Sequence, residues 1–246
     1  MRQRRRIQHE NSIVGAAFEA AGQQCMALSV LVTLPETKEW VNSLVEEAKQ
    51  LKVDGGFESD VDVAPVVSAE SRARIEEVIT AAEEEGATIL LDGRNYRPAT
   101  GKYSDGIWIG PTIITGVKPH MRCYTEEIFG PVRVCVDAKD VDDAIHLINA
   151  NEYGNGVAIF TSSGAGASYF SNNIKAGQVG VNMPIPVPLS VISFTGNKRS
   201  VAGGGISTFY GKPAWNFYTL TKTITSLWRR KHTAAAKASV NMSTQS

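Results

Sequence analysis

The sequence predicts an α/β protein with a doubly wound, mostly parallel sheet. Two observations carry this expectation. Short apolar runs of strand length alternate along the chain with amphipathic segments of about ten or more residues, the pattern of repeated βαβ units. At 246 residues the chain is also long enough to bury the large core that such a sheet requires.

Residues 11–21 (NSIVGAAFEAA) are small and apolar at helical spacing, with Asn11 or Ser12 as N-cap. They run into Gly22-Gln23-Gln24-Cys25. Residues 26–33 form a short apolar run closed by Leu34-Pro35 and read as a buried strand. Residues 36–51 read as an amphipathic helix with Trp40, Leu44, Val45 and Ala48 on one face. A second such helix spans 68–85, with Ser68 and Ser71 for capping and Gly86 as its stop. A strand at 87–91 and a polar, exposed loop at 92–105 follow. Residues 107–114 and 131–136 are strand-like, and 141–150 is helical with Asp140 as its cap. Segments 156–161, 177–181 and 216–225 complete the strands.

The bulk properties exclude several classes. Lys plus Arg (25) equal Asp plus Glu (25), so no net charge draws the chain to nucleic acid or an anionic membrane. No run reaches the ~18 apolar residues of a membrane span. Cys25, Cys123 and Cys135 are spaced for neither a disulfide framework nor a zinc site, and a metal centre is not expected. Residues 1–10 (MRQRRRIQHE) form a basic extension without the apolar core of a secretory signal. Residues 229–246 are polar and small, the composition of a disordered tail.

Three features can carry chemistry. Cys25 stands between a small-residue helix and an apolar run, where a thiol can be partly exposed and its backbone N–H left free for an oxyanion. A buried, inert cysteine is the competing reading. In Glu126-Glu127-Ile128-Phe129-Gly130-Pro131, only one carboxylate can face a given site from extended chain. A carboxylate beside an aromatic suits a ribose hydroxyl beside a flat ring, while a solvated charge pair is the alternative. Finally, Gln178-Val179-Gly180-Val181-Asn182 leads into alternating prolines (Pro184, Pro186, Pro188), an extended lining segment, and then to Phe194-Thr195-Gly196 and Gly203-Gly204-Gly205. No GxGxxG dinucleotide fingerprint occurs.

The order GQQC, EEIFGP, GQVGVN, a Phe-Thr-Gly turn and a closing YTLTKTIT resembles the aldehyde dehydrogenase superfamily over roughly residues 11–228. The stretches CMALS, ILLDGR, GPTII, YGNG, PIPVPL and SFTG are most similar to its CoA-acylating branch, the methylmalonate-semialdehyde dehydrogenases. The resemblance implies oxidation of malonate and methylmalonate semialdehydes to acyl-CoA, with loss of CO2 and reduction of NAD. It also implies a mitochondrial matrix location, although the short N-terminus leaves a cytoplasmic one open, and a homo-oligomer joined partly through residues 217–225. By motif, Cys25 would attack the aldehyde carbon, with its own backbone N–H in the oxyanion hole. Glu127 would bind the nicotinamide ribose, Phe129 would pack near the nicotinamide, and Phe194 would wall the substrate pocket.

Two departures accompany the resemblance. Gln24 stands where this branch has an arginine that holds the substrate carboxylate. A neutral amide cannot reproduce that bidentate pair, a loss on the order of 1.5–3 kcal/mol of binding. The superfamily's dinucleotide-binding half, which precedes the cysteine, is not among these 246 residues. Residues 11–228 are therefore expected to form the catalytic domain alone, unable by themselves to hold NAD tightly or turn over. The alternative to an enzyme is a non-catalytic domain serving as an interaction or regulatory subunit.

Overall fold

A computed structural model describes residues 2–98, 102–189, 191–192, 194, 196–200 and 211–228. The chain forms, in order, α1 (Arg2–Phe18), a 3-10 turn (Glu19–Gly22), β1 (Val30–Thr33), α2 (Trp40–Lys49), α3 (Ala69–Glu84), β2 (Thr88–Leu91) and β3 (Thr112–Thr115). There follow α4 (Arg122–Thr125), β4 (Val132–Asp137), α5 (Val141–Ala150), β5 (Gly156–Ile159), α6 (Gly164–Asn173), β6 (Gln178–Val181) and α7 (Ala214–Tyr218). Gly203-Gly204-Gly205, Thr195 and the tail at 229–246 lie outside the described residues.

The α/β, mostly parallel expectation holds, with the strands divided between two sheets. One has the order β1-β4-β3-β2 and the other pairs β5 with β6. β1 and β3 both run parallel to β4, in registers that set Val30 opposite Val134 and Ile113 opposite Arg133. β5 and β6 are also parallel, with Gly156 opposite Gln178, whereas β2 is antiparallel to β3. β4 is central, and its residues Val132 to Val136 are all buried, as expected of a parallel strand covered on both faces.

The helices supply the covering layers. α1 buries Ile13, Val14, Ala17 and Phe18; α2 buries Val41, Leu44, Val45 and Ala48; α3 buries Ile75, Val78, Ile79 and Ala82. Each large aliphatic side chain among these contributes about 1.5–3 kcal/mol by leaving water. The predicted caps form: Ser68 and Asp140 accept from the amides of Ser71 and Asp143. Gly86, at φ +96°, ends α3 in the left-handed region that glycine adopts without strain.

Several expectations are corrected. The first helix begins at Arg2, so Asn11 and Ser12 are interior rather than caps. It ends at Phe18 because Ala20 and Ala21 turn left-handed (φ 51° and 55°). Residues 26–29 are not strand: the Leu28 amide bonds the Ala16 carbonyl of α1 and is lost to any ladder. Residues 107–111 likewise spend hydrogen bonds on loops, Ile107 O accepting from Val66 and Gly110 N donating to Gly93 O. Of the segment 216–225, read above as a strand joining a neighbouring subunit, the start lies in α7, and residues 219–228 have no ladder partner among the described residues of this one chain, leaving Leu220 97% exposed. α6, hidden in sequence by Gly164 and Gly166, starts where Ser163 Oγ accepts from the Gly166 amide.

Candidate active site

Cys25 is brought to its place by the turn that ends α1. Gly22 (φ +66°) lies so close to Gly130 that an added Cβ would fall 2.0 Å from the Gly130 carbonyl oxygen. Only glycine allows this approach, which sets the GQQC turn against the EEIFGP loop about a hundred residues later in the chain. Gln23 then acts as a clamp: its Oε1 accepts from the Val67 amide (2.8 Å) and its Nε2 reaches the Pro65 and Ala20 carbonyls. Of the two adjacent glutamines, Gln23 is structural, while Gln24 is half-buried beside Cys25.

The three cysteines separate cleanly. Cys25 is exposed, whereas Cys123 and Cys135 are buried. Burial pushes both buried thiols up to about 11, keeping them protonated and inert. The carbonyl of Gln24 accepts from the Ala27 amide (3.1 Å) and that of Cys25 from Asn155 Nδ2 (2.7 Å). The amides of Cys25 and Met26 have no acceptor among the described residues. An exposed thiol flanked by two uncommitted N–H donors leaves groups available to an oxyanion formed at that thiol.

The two carboxylates of EEIFGP have different tasks. Arg122 Nε bonds both oxygens of Glu126 at 3.0 Å and its Nη1 pairs with Glu77, so Glu126 belongs to a surface ion-pair network. Glu127 is exposed and has no ion-pair partner among the described residues. Its backbone is held instead, Arg74 donating to the carbonyls of Glu127 (2.9 Å) and Ile128. Phe129 takes a left-handed φ of 53° and is 39% exposed.

Gln24, Cys25, Glu127 and Phe194 line one cavity of about 1280 Å³; Phe129 does not. A carboxylate without an ion-pair partner among the described residues, in a cavity with an exposed thiol, is placed to accept hydrogen bonds from ligand hydroxyls. Among the described residues no group of three His, Cys, Asp or Glu could hold a metal, and no helix is long and apolar enough to cross a membrane. Asn155, Gln23 and Arg74 escaped sequence reasoning. Asn155 and Gln23 carried only the signal of their places inside YGNG and GQQC, and Arg74 carried none.

The model of the aldehyde dehydrogenase family matches residues 8–224. A methylmalonate-semialdehyde dehydrogenase (acylating, mitochondrial) of Arabidopsis thaliana is 51% identical over 228 residues, 93% of this chain and 37% of that protein. The crystal structure of a methylmalonate-semialdehyde dehydrogenase from Oceanimonas doudoroffii superposes with a TM-score of 0.84 at 41% identity, over 92% of this chain and 46% of the other. A betaine aldehyde dehydrogenase from Staphylococcus aureus, in complex with NAD+, does so with a TM-score of 0.78 at 30% identity, over 85% and 40%. The chain thus spans less than half the length of the relatives it matches. With the motifs at their stations and the model matching nearly its whole length, the chain belongs to the aldehyde dehydrogenase family.

Proposed function

We propose that residues 11–228 form the catalytic domain of an NAD-dependent, acylating aldehyde dehydrogenase that converts malonate or methylmalonate semialdehyde to an acyl-CoA. The observation that carries this reading is the exposed Cys25 thiol sharing a cavity with Glu127. The Cys25 thiolate adds to the aldehyde carbon, and the carbonyl electron pair moves to oxygen, where the amides of Cys25 and Met26 can stabilise it. NAD, when held there, would supply the acceptor for the hydride that the carbon gives up as its carbonyl re-forms in a Cys25 thioester. The carboxylate of the Cys25-bound β-carboxy thioester leaves as CO2, its bonding pair passing into the thioester enolate, which takes a proton from water; the thiol of CoA, giving up its proton, then displaces the Cys25 thiolate and releases the acyl-CoA. Glu127 holds the nicotinamide ribose hydroxyls, Phe129 packs near the ring, and Phe194 walls the side of the cavity that receives the aldehyde. Gln24 offers the substrate carboxylate a neutral hydrogen bond.

Names of similar proteins that include "mitochondrial" support a mitochondrial location, and assembly into a homo-oligomer follows the same resemblance. The test is NADH formation from malonate semialdehyde and CoA by the full gene product. Cys25→Ala should abolish it; retained turnover would overturn the assignment. Gln24→Arg should improve use of carboxylated semialdehydes about tenfold or more, the equivalent of ~1.4 kcal/mol or more of recovered charge-assisted binding. The 246-residue chain alone should show no micromolar NAD affinity by calorimetry, since the contacts to adenine and pyrophosphate dominate dinucleotide binding.

A further inference from the structure

We propose that Asn155 is a positioning residue for the nucleophile: its side-chain amide fixes the plane of the Cys25–Met26 peptide and so aims a backbone N–H at the developing oxyanion. The inference rests on the reading of Cys25 as nucleophile. Both peptides flanking the Cys25 Cα are held by their carbonyls, Gln24 O by the Ala27 amide (3.1 Å) and Cys25 O by Asn155 Nδ2 (2.7 Å). A trans peptide is planar, so a carbonyl held on one side directs the N–H of the same peptide to the other. The amides so directed, those of Cys25 and Met26, are the ones without acceptors among the described residues. The first of the two bonds is local and comes with the turn. The second spans 130 residues of chain and depends on Asn155 alone.

The surroundings of Asn155 are built to hold it there. Its own carbonyl accepts from the Gln178 amide at the start of the β5–β6 ladder (3.1 Å). Gly156 sits so close to Met26 that an added Cβ would lie 2.4 Å from Met26 Cε, which brings β5 against the residue following the nucleophile. The Gly154 carbonyl accepts from the amides of Gly177 and Asn197 (2.9 and 3.0 Å), and its own amide donates to Ser200 Oγ. Lys198 Nζ ties the same loop to the end of α5 through the carbonyls of Ile148, Asn149 and Asn151. The YGNG turn is thereby fixed on several sides, and Asn155 is its one side chain hydrogen-bonded to the backbone of the nucleophile.

Two reagents separate orientation from access. Alkylation of Cys25 by iodoacetamide displaces iodide at a saturated carbon and forms no oxyanion. Acylation by p-nitrophenyl acetate passes through one: the thiolate adds to the ester carbonyl, and collapse of the oxyanion expels p-nitrophenolate. In the 246-residue chain, Asn155→Ala and the similarly sized Asn155→Leu should lower the acylation rate about tenfold, a fraction of the ~100-fold or greater loss on deleting an oxyanion donor outright. The alkylation rate and its pH profile, followed by mass spectrometry at Cys25, should stay within about twofold. Acylation unchanged in both variants would overturn the proposal, as would a parallel fall in the two rates, which marks a loosened loop. Acylation that survives Cys25→Ala would instead overturn the nucleophile assignment itself.

Discussion

The four-stranded and two-stranded sheets are both built around parallel strands, yet they are buried very differently. β4 has neighbours on both sides and helices above and below, and Val134 and Ile114 are wholly inaccessible. β5 and β6 form the smaller sheet, where no residue of β5 is fully buried and Val181 is 45% exposed. Beyond β6, Met183, Val187 and Leu189 are exposed as well. The candidate site lies where these regions meet. Cys25, Gln24 and Glu127 come from turns anchored on the well-packed part, while Asn155 and Phe194 come from the thinly covered part. Stability is therefore concentrated on one side of the cavity, and positioning of the nucleophile depends on the other as well.

If that contrast is sound, Ile79→Ala, in the helix covering the larger sheet, should cost about 2–5 kcal/mol in denaturant titration. A loss below ~1 kcal/mol would show that the larger sheet is not the stable unit. Arg133, on β4, tests the same core in the opposite direction. It is 2% exposed, donates one bond to the Ile13 carbonyl at 3.3 Å, and leaves Nε and Nη1 without partners among the described residues. Burial pulls its pKa down. Arg133→Met should therefore stabilise the chain, by about 1–4 kcal/mol, because it removes a buried charge that is poorly compensated.

The buried thiols give the core a pH signature. Cys123 and Cys135 keep their protons up to about 11 when folded, whereas an unfolded thiol loses its proton near pH 8.5. The unfolded chain thus binds fewer protons across that window, and stability is full below pH ~8.5 and falls as pH rises toward 11. Thermal midpoints of a Cys123→Ala/Cys135→Ala double variant should fall less over this range than those of the parent; equal slopes would reject the cause. Next in size, Asp140→Ala removes the side-chain acceptor of the Asp143 amide and should cost about 1 kcal/mol. Smallest, Val181→Ala on β6 should change stability by no more than ~0.5 kcal/mol. A loss as large as that of Ile79→Ala would erase the distinction between the sheets.

Much of this arrangement was legible in the residues. The period of the apolar positions announced α2, α3 and α5, and Ser68 and Asp140 marked two of their starts. The apolar run of β4 stood out because both of its faces are covered. α6 did not, because glycine and serine carry little periodic signal and its cap contact depends on backbone geometry. The start of the segment 216–225 misled for another reason: residues 216–218 lie in the helix α7, and a short apolar run fits a helix and a strand alike.

By itself the sequence determined the α/β class, the family through its ordered motifs, and Cys25 as the thiol to examine. Only the tertiary structure decided which neighbours act on it. It separated Gln23, a clamp, from Gln24, a cavity residue, and Glu126, ion-paired, from Glu127, without such a partner among the described residues. It also joined Asn155 to the Cys25 carbonyl across 130 residues. Periodicity and capping are local and repeat along the chain, so they can be read from it. Hydrogen bonds between distant turns depend on close backbone approaches such as Gly22 on Gly130, which exist only once the core has packed.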